Sequence, residues 1–412
     1  MPEINGADTA WVLVSAALVM LMTPALGLFY GGLVRQKNAL STIMHSFFIL
    51  ALISVQWVVV GYSLAFGADH GGLIGGFEYV LLNGVGAVPN ATYAPTIPHT
   101  AFMTYQMMFA VITPALISGA FAERKRFSAF VVFTLLWSTF VYDPVAHWVW
   151  AEGGWIRNLG AIDFAGGTVV HITSGVSALV CAQVLGRRLG FGVEPLEPHN
   201  VTMTVLGTAL LWFGWFGFNA GSALGSGALA ASAFLMTHTA AAAAALAWVA
   251  AAWFRHGRAS VLGASAGAVA GLVGITPAAG YVNVGGALVI GLATGFICFF
   301  VVEMLMRGRI DDSLDVFGVH GAGGIIGALL TGVLATKAVN PAGADGLLAG
   351  NPSLLTAQAI AVVAVAAYAA VVTYGLLKLV DFFFGLRVSA EDELRGLDAS
   401  QHGEVAYQPM LY

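Results

Sequence analysis

Long apolar segments dominate this chain and leave few folds open to it. Each is about 20 residues long or longer, the length of α-helix that crosses the hydrocarbon core of a bilayer. The segments are residues 9–34, 40–66, 101–122, 127–150, 164–185, 201–220, 228–254, 259–276, 283–306, 315–336 and 354–384. Hydrophobic residues make up 58% of the chain and charged residues only 9%. The sequence therefore predicts an all-α integral membrane protein with eleven transmembrane helices.

The rest of the composition argues against several other classes of protein. No stripe of basic residues is present, so we expect no nucleic-acid partner. Cys181 and Cys298 both lie in apolar segments, which indicates neither a disulfide framework nor a metal site. We predict no cofactor. The start of the chain is acidic and polar, unlike a cleavable signal peptide.

The basic residues indicate how the chain is oriented in the membrane. Thirteen of the 16 Lys and Arg residues fall in the connections after segments 1, 3, 5, 7 and 9 and in the C-terminal tail. Because such residues are enriched in cytoplasmic loops, we expect the N-terminus outside the cell and the C-terminus in the cytoplasm. Residues 1–384 would form the transmembrane domain and residues 385–412 a polar cytoplasmic tail.

Two histidines inside apolar segments point to a duplicated core. His171 follows Asp163 by eight residues in segment 5, and His320 follows Asp312 by eight residues in segment 10. The segments divide as five, five and one, and because five is odd the second set would form an inverted repeat, with a peripheral eleventh helix. At about 1.5 Å per residue, each imidazole lies about 12 Å inside from opposite faces. The two rings should therefore meet near the middle of the membrane, where ionisable groups usually mark a pathway.

Several motifs make the chain similar to a known family. They are DFAGGTVVHITSG from Asp163, WFGFNAGSA from Trp215, GITPAAGY from Gly274, DVFGVHGAGG from Asp315, and the tail motif between Gly385 and Tyr407. In this order and spacing they resemble the ammonium transporter/methylammonium permease family over essentially the whole chain. The resemblance implies a homotrimer of eleven-helix subunits in the lipid bilayer of the cell inner (plasma) membrane, each with its own narrow pore for ammonium. It also implies that residues 385–412 are a regulatory tail, which packs beneath the subunits and binds a signalling protein of the PII class.

The resemblance further implies which residues first handle the substrate. An outer site that recruits ammonium maps to Trp150, Ser222 and Phe109, and Asp163 braces that site. These residue types suit the role, since an aromatic face attracts a desolvated cation by about 2 kcal/mol. Asp163 would add a negative field and accept backbone N–H groups at a helix start.

The same resemblance implies a gate and a pore beneath the recruitment site. Phe109 and Phe218 map to the two stacked rings of the gate, and His171 and His320 map to the twin pore histidines. A bare cation crosses an apolar lining only at high cost. Potassium has no proton to lose, whereas ammonium can shed one and pass as neutral ammonia. Because imidazoles titrate near neutrality, the histidines could bind that ammonia and also relay its proton.

A few positions depart from the family's pattern or have simpler interpretations. Tyr105 stands where the family often has another aromatic residue, and Met107, Met108 and Asp143 differ from the residues expected around the vestibule. The charged run 123–126 and the charges of the tail are interpreted as ordinary solvated loop residues.

Other functions fit the sequence less well. A Rhesus-type passive channel for ammonia or carbon dioxide would have no need of the cation-recruiting Trp150 and Ser222. A sensor with incidental flux is disfavoured because we expect no fused output domain. An intramembrane enzyme is the weakest alternative, since the chain has no HExxH motif and no clear pairing of a histidine with a serine nucleophile. The sequence leaves open whether the net transported species is ammonium, ammonia with a relayed proton, or ammonia alone.

Overall fold

Helices account for nearly all regular structure in the computed structural model, which describes residues 3–407. Within those residues, the helices long and apolar enough to cross a membrane are α1 (Gly6–Leu33), α2 (Gln36–Phe66), α3 (His99–Phe121), α4 (Phe127–Asn158), α5 (Gly167–Leu185), α6 (Val201–Ala223), α7 (Ala228–His256), α9 (Val284–Arg307), α10 (Phe317–Leu334) and α11 (Pro352–Phe384). A shorter apolar helix, α8 (Val261–Ile275), lies between α7 and α9. The predicted all-α membrane fold is confirmed. Segment 8 is shorter than predicted because Pro277 follows, and the residue before a proline disfavours helix.

The connection between α2 and α3 forms two small hairpins. Its strands are β1 (Asp69–His70) paired antiparallel with β2 (Ile74–Gly75), and β3 (Pro89–Asn90) paired with β4 (Ala94–Pro98). His147 of α4 fixes this connection in place, because one ring nitrogen lies 2.9 Å from the Ala65 carbonyl and the other 2.9 Å from the Asp69 carboxylate. The hairpins therefore cover the end of α4 that carries Trp150.

The first helix of each predicted half packs against the other. Gly207 of α6 faces the backbone of Phe29 on α1, whereas Gly217 faces Ser15, so the two helices run antiparallel. Neither glycine has room for a side chain at this contact, and small residues are what allow membrane helices to approach so closely. Opposite directions for corresponding helices are what an inverted repeat requires.

The last helices of the two predicted halves also pack against each other in opposite directions. Gly175 of α5 faces Gly321 of α10, and Gly324 of α10 faces Gly167 of α5, so this pair is also antiparallel. Both helices begin with a π-helical turn, over Gly167–Ile172 and Phe317–Gly321. Each histidine lies in one of these turns. π-Helical turns are rare in proteins, and those that occur are often found at functional sites.

The connections rich in basic residues gather on one face of the molecule. Arg35, after α1, pairs with Glu123, after α3, at 2.7 Å. Arg188, after α5, pairs with Asp311, before α10, at 2.8 Å. The predicted clustering of these connections on one side is therefore confirmed, and that this side faces the cytoplasm stays a prediction.

The tail folds across that same face. A short helix, α12 (Ala390–Arg395), precedes a π-helical turn at Asp398–His402. The Asp398 carboxylate accepts the backbone N–H groups at the start of α2, and Glu393 accepts from Arg387 and from the Leu189 N–H, both at 2.7 Å. The last part of the predicted tail, residues 408–412, lies outside the described residues.

The prediction that residues 123–126 and the tail charges are solvated was wrong in part. Arg126, Glu391 and Arg395 are exposed, as predicted. Glu123, Arg124 and Lys125 are at most 1% exposed, and Glu393 is 1% exposed. The Arg124 guanidinium is buried among backbone carbonyls to which it donates. The Lys125 ammonium lies 4.0 and 3.9 Å from the centres of two phenylalanine rings, and burial lowers its pKa to about 8. Docking of the tail, a long-range contact, buries charges that local sequence places in a loop.

Candidate functional site

The residues predicted for outer recruitment line one cavity. Phe109 of α3, Trp150 of α4 and Ser222 of α6 surround a space of about 190 Å³ at the end of the molecule opposite the tail. The rings of Phe109 and Trp150 are perpendicular, with centroids 5.9 Å apart. The Trp150 indole N–H donates to the Asp163 carbonyl at 3.0 Å, which fixes the orientation of that ring. The cavity thus presents aromatic surface together with polar side chains, among them the hydroxyl of Ser222 and the guanidinium of Arg157.

Tyr105 holds the hydroxyl of Ser222 from below. The Tyr105 hydroxyl lies 3.1 Å from Ser222 Oγ and 2.8 Å from the Phe218 carbonyl. Ser222 can also donate to that carbonyl at 2.9 Å. Both hydroxyl protons can therefore point toward the helix, which leaves a lone pair of Ser222 Oγ free to face the cavity.

Asp163 braces the site from behind the cavity. Its carboxylate accepts the backbone N–H groups of Gly166, Gly167, Thr168 and Val169 at 2.8, 2.7, 2.7 and 3.2 Å. These are the orphan donors of the first turn of α5. Gly166 has φ of 112°, a conformation that favours glycine, and it lets the chain wrap around the carboxylate. The carboxylate is engaged by the backbone, and its role in bracing the outer site stays a prediction.

Two phenylalanine rings close the floor of the outer cavity. The centroids of Phe109 and Phe218 are 4.3 Å apart and the rings are tilted by 38°. They are in contact, as predicted, but they are inclined and not parallel. Phe109 lines the outer cavity and Phe218 lines the next one, so the pair separates the two spaces.

His171 and His320 meet beneath that floor. Their Nδ1 atoms are 3.3 Å apart, the ring planes differ by 27°, and the side chains are 1% and 4% exposed. The meeting predicted from the eight-residue spacing is confirmed by this contact. The cavity beside the rings measures about 10 Å³ and is otherwise lined by apolar and aromatic side chains. Such a space has room for about one water-sized molecule.

Trp215 is a site residue that the sequence argument missed. Its ring stacks on His171 with centroids 5.5 Å apart and a 19° angle between planes. The indole N–H donates to Thr276 Oγ1 at 3.0 Å, which holds the ring against the imidazole. Trp215 precedes Phe218 by three residues, so its position on the same face of α6 was a signal that could have revealed it.

A larger cavity of about 900 Å³ opens toward the tail side of the histidines. His320 and Phe29 line both this inner cavity and the narrow one. Asp315 also lines it, and burial together with the neighbouring Asp312 raises the pKa of Asp315 to about 7. Asp312 accepts the Phe317 N–H at 2.7 Å and so caps α10, as Asp163 caps α5. Within residues 3–407, no group of three or more His, Cys, Asp or Glu side chains is placed to hold a metal.

The unexpected residues near the vestibule lie outside the outer cavity. Among the described residues, Met107, Met108 and Asp143 do not line it. Asp143 is buried between helices and accepts the Gln56 side-chain amide at 2.8 Å. Tyr105 is the one departure that contributes to the cavity wall.

The chain is similar to known proteins over nearly its full length. The sequence model of the Ammonium Transporter Family matches residues 10–407. An ammonium transporter of Bacillus subtilis (strain 168) is 52% identical over 405 residues, which covers 98% of this chain and 99% of the relative. Ammonium transporter Amt1 of Archaeoglobus fulgidus is 49% identical over 404 residues, which covers 98% of this chain and 100% of the relative.

Solved structures show the same fold. The crystal structure of Saccharomyces cerevisiae Mep2 matches with a TM-score of 0.89 and 39% identity, covering 94% of this chain and 91% of that one. A structure named Sensor Amt Protein matches with a TM-score of 0.89 and 30% identity, covering 96% of this chain and 98% of that one.

Proposed function

The chain belongs to the Ammonium Transporter Family, and we propose that it takes up ammonium through the three cavities aligned on His171 and His320. It is a multi-pass membrane protein of a family that transports ammonium. Ammonium binds in the outer cavity, loses a proton, and crosses as ammonia to the inner cavity. The observation that carries this proposal is the contact of two buried imidazoles beside a cavity of about 10 Å³.

Recruitment depends on the aromatic surface of the outer cavity. Phe109 and Trp150 offer ring faces, each worth up to about 2 kcal/mol to a desolvated cation. The free lone pair of Ser222 Oγ accepts one ammonium N–H. These contacts hold the cation directly above the Phe109–Phe218 pair, where the substrate must shed its proton to go further.

Selectivity follows from the size and lining of the narrow cavity. An isolated ion in an apolar medium pays an idealised cost of tens of kcal/mol, whereas a neutral group that forfeits its hydrogen bonds pays roughly 2–7 kcal/mol. Potassium stays charged in every form and therefore meets the larger cost. Ammonia meets the smaller one, and the histidines reduce it by offering hydrogen bonds.

The contact between the histidines determines which hydrogen bonds each ring can offer to ammonia. Two Nδ1 atoms 3.3 Å apart can share one proton, so one ring donates and the other accepts. In neutral imidazoles the donor ring then has a bare Nε2, and the acceptor ring carries its proton on Nε2. Ammonia passing the pair therefore meets one acceptor and one donor. When the bare Nε2 of the donor ring takes up the proton that ammonium releases, the shared proton can pass to the other ring, which then releases its own Nε2 proton.

Electrical recording on proteoliposomes tests the proposal. On a solid-supported membrane, wild type should give a current with ammonium and none with potassium. His171→Ala should remove most of the ammonium current, and His171→Asp, which adds a carboxylate to the bore, should admit potassium. His238→Ala is the matched control, because His238 is exposed on α7 and packs beside Trp212. Unchanged selectivity in His171→Asp would contradict the mechanism, and ammonia flux without current would indicate a Rhesus-type gas channel.

A sensing role is the second candidate, favoured by the likeness to Sensor Amt Protein. It would use the same outer cavity, with the tail passing occupancy to another protein. Cells that still respond to ammonium with the transport-dead His171→Ala variant would support it.

Assembly and partners complete the proposal. We expect a homotrimer with cytoplasmic tails, each able to bind a PII-class protein. The family resemblance supports this, as does the packing of α12 across the face rich in basic residues. Native mass spectrometry should give three subunits. Removal of residues 385–412 should abolish PII capture if the tail is the binding site.

A further inference from the structure

A buried carboxyl group in α4 has no role in the site described above. Asp143 is fully buried, and within residues 3–407 its side chain has one hydrogen-bond partner, the Gln56 amide of α2, whose Nε2 donates to Oδ2 at 2.8 Å. The other carboxyl oxygen, Oδ1, is buried without a partner, and so is Oε1 of Gln56. Each member of this hydrogen-bonded pair therefore carries an acceptor that no donor satisfies. Because buried polar groups are normally satisfied, the arrangement calls for an explanation.

The neighbouring polar groups do not supply the missing donor. Thr139 Oγ1 lies 3.3 Å from Gln56 Nε2 and donates its own proton to the Leu135 carbonyl at 3.0 Å. The Gln56 amide thus has both of its N–H groups in use, and only its oxygen is left over. The nearby hydroxyls of Ser138 and Tyr142 are buried and form no hydrogen bond with either oxygen.

No positive charge balances Asp143 either. Within residues 3–407, no Lys, Arg or His side chain forms an ion pair with it. The carboxyl group lies inside α4, one of the helices long and apolar enough to cross a membrane. An ionised carboxylate buried there without a cation would cost far more than a neutral acid, and a group in such surroundings is neutralised by a proton.

We propose that Asp143 is a proton-binding site, at which the neutral carboxylic acid donates through Oδ1–H to Gln56 Oε1. A single proton then satisfies both orphan oxygens and closes a hydrogen-bonded ring between the acid and the amide. It also removes the buried charge. This proton is held in place and is separate from the one that ammonium releases, so the inference goes beyond the proposed function and does not depend on it.

The acid–amide pair joins α2 and α4 where both helices change form. Gln56 directly precedes a π-helical turn at Trp57–Gly61. Asp143 directly follows another, at Ser138–Tyr142. The helical segment that begins at Asp143 ends at Trp150, whose ring lines the outer cavity. Asp143 is thus a positioning residue, because its bond to α2 fixes the part of α4 that carries Trp150.

Infrared difference spectroscopy tests the protonation directly. At neutral pH, Asp143→Asn should lose the C=O stretching band of a protonated carboxyl group, and that band should shift in D₂O. Asp381→Asn is the matched control, because Asp381 is exposed near the end of α11 and its replacement should remove only carboxylate bands. If Asp143→Asn also loses carboxylate bands and no protonated-acid band, the acid is ionised and a water or small cation bridges the oxygens, which overturns the proposal.

Two substitutions then separate a held proton from a moving one. Asp143→Asn replaces the O–H donor by an N–H donor, so the thermal unfolding midpoint should match wild type and the half-saturating ammonium concentration should change less than about twofold. Asp143→Leu leaves the Gln56 amide buried without a partner, which should lower the midpoint. It should also raise the half-saturating concentration about threefold or more, because Trp150 is held less firmly. Gln56→Leu combined with Asp143→Leu removes both partners and should recover most of the lost midpoint.

The remaining outcomes are equally decisive. Loss of the ammonium current in folded Asp143→Asn would show that a moving proton passes through Asp143 and would refute a held one. An Asp143→Leu variant with the midpoint of wild type would show that the pair does not join α2 to α4. Absence of ammonium current in wild type would instead refute the proposed function and leave the infrared result unchanged.

Discussion

The crossing of α5 and α10 allows a sharp test of how the histidines are held together. Gly175 lies one turn beyond His171, and a Cβ added there would meet the backbone N and Cα of Gly321 on α10. A backbone cannot move aside as a flexible side chain can. Gly175→Ala must therefore push the two helices apart at the level of the imidazole pair.

The expected size of the effect follows from two opposing contributions. Overpacking a tight contact costs about 1–3 kcal/mol, whereas replacing a helical glycine by alanine gains about 1 kcal/mol of propensity. The net loss should be up to about 2 kcal/mol. The Nδ1 atoms are already 3.3 Å apart, at the long end for a hydrogen bond, so a shift of about 0.5 Å would break their contact. We expect lower thermal stability and a smaller ammonium current.

Thermal unfolding in detergent, followed by fluorescence, measures the loss of stability in Gly175→Ala. Solid-supported-membrane recording measures the loss of ammonium current. Gly375→Ala on α11 is the control, because a Cβ there meets no atom within 4 Å. Only the propensity gain acts at that position, so its midpoint should equal or exceed that of wild type. A Gly175→Ala midpoint as high as that of Gly375→Ala would refute the reasoning.

Three further changes probe charged groups. Arg157→Gln removes a cation from the outer cavity and should lower the half-saturating ammonium concentration about twofold at low salt. The effect should be smaller at high salt, where such charges are screened, and an equal effect at low and high salt would contradict this reasoning. Burial and Asp312 raise the pKa of Asp315 to about 7, so the folded chain holds a proton that the unfolded chain releases near pH 4. Stability should fall as pH rises from about 4 to about 7, and Asp315→Asn should flatten that slope in thermal unfolding. Glu393→Gln weakens the contact with Arg387, so hydrogen exchange in the tail should accelerate, and unchanged exchange would count against this docking.

The sequence predicted those parts of the fold that depend on local pattern. Apolar length located the spans, and the spacing of His171 and His320 from their aspartates predicted that the rings would meet. That spacing was informative because both helices start with a capping carboxylate and converge from opposite faces. The basic connections were correctly placed on one side because each follows an odd-numbered helix.

Features that depend on long-range contacts were beyond the sequence argument. The burial of Lys125 is created by the tail and by two rings that the chain brings together only on folding. The π-helical turns carry no composition of their own, so nothing in the motifs showed how the imidazoles would be aimed.

The narrow space beside the imidazoles has a kinetic consequence. At about 10 Å³ it accommodates one small molecule at a time. A second cannot push the first along, as neighbouring ions do in multi-ion channels. Each passage must finish before the next begins, so throughput should level off at high external substrate and be set by the dwell time of a single occupant.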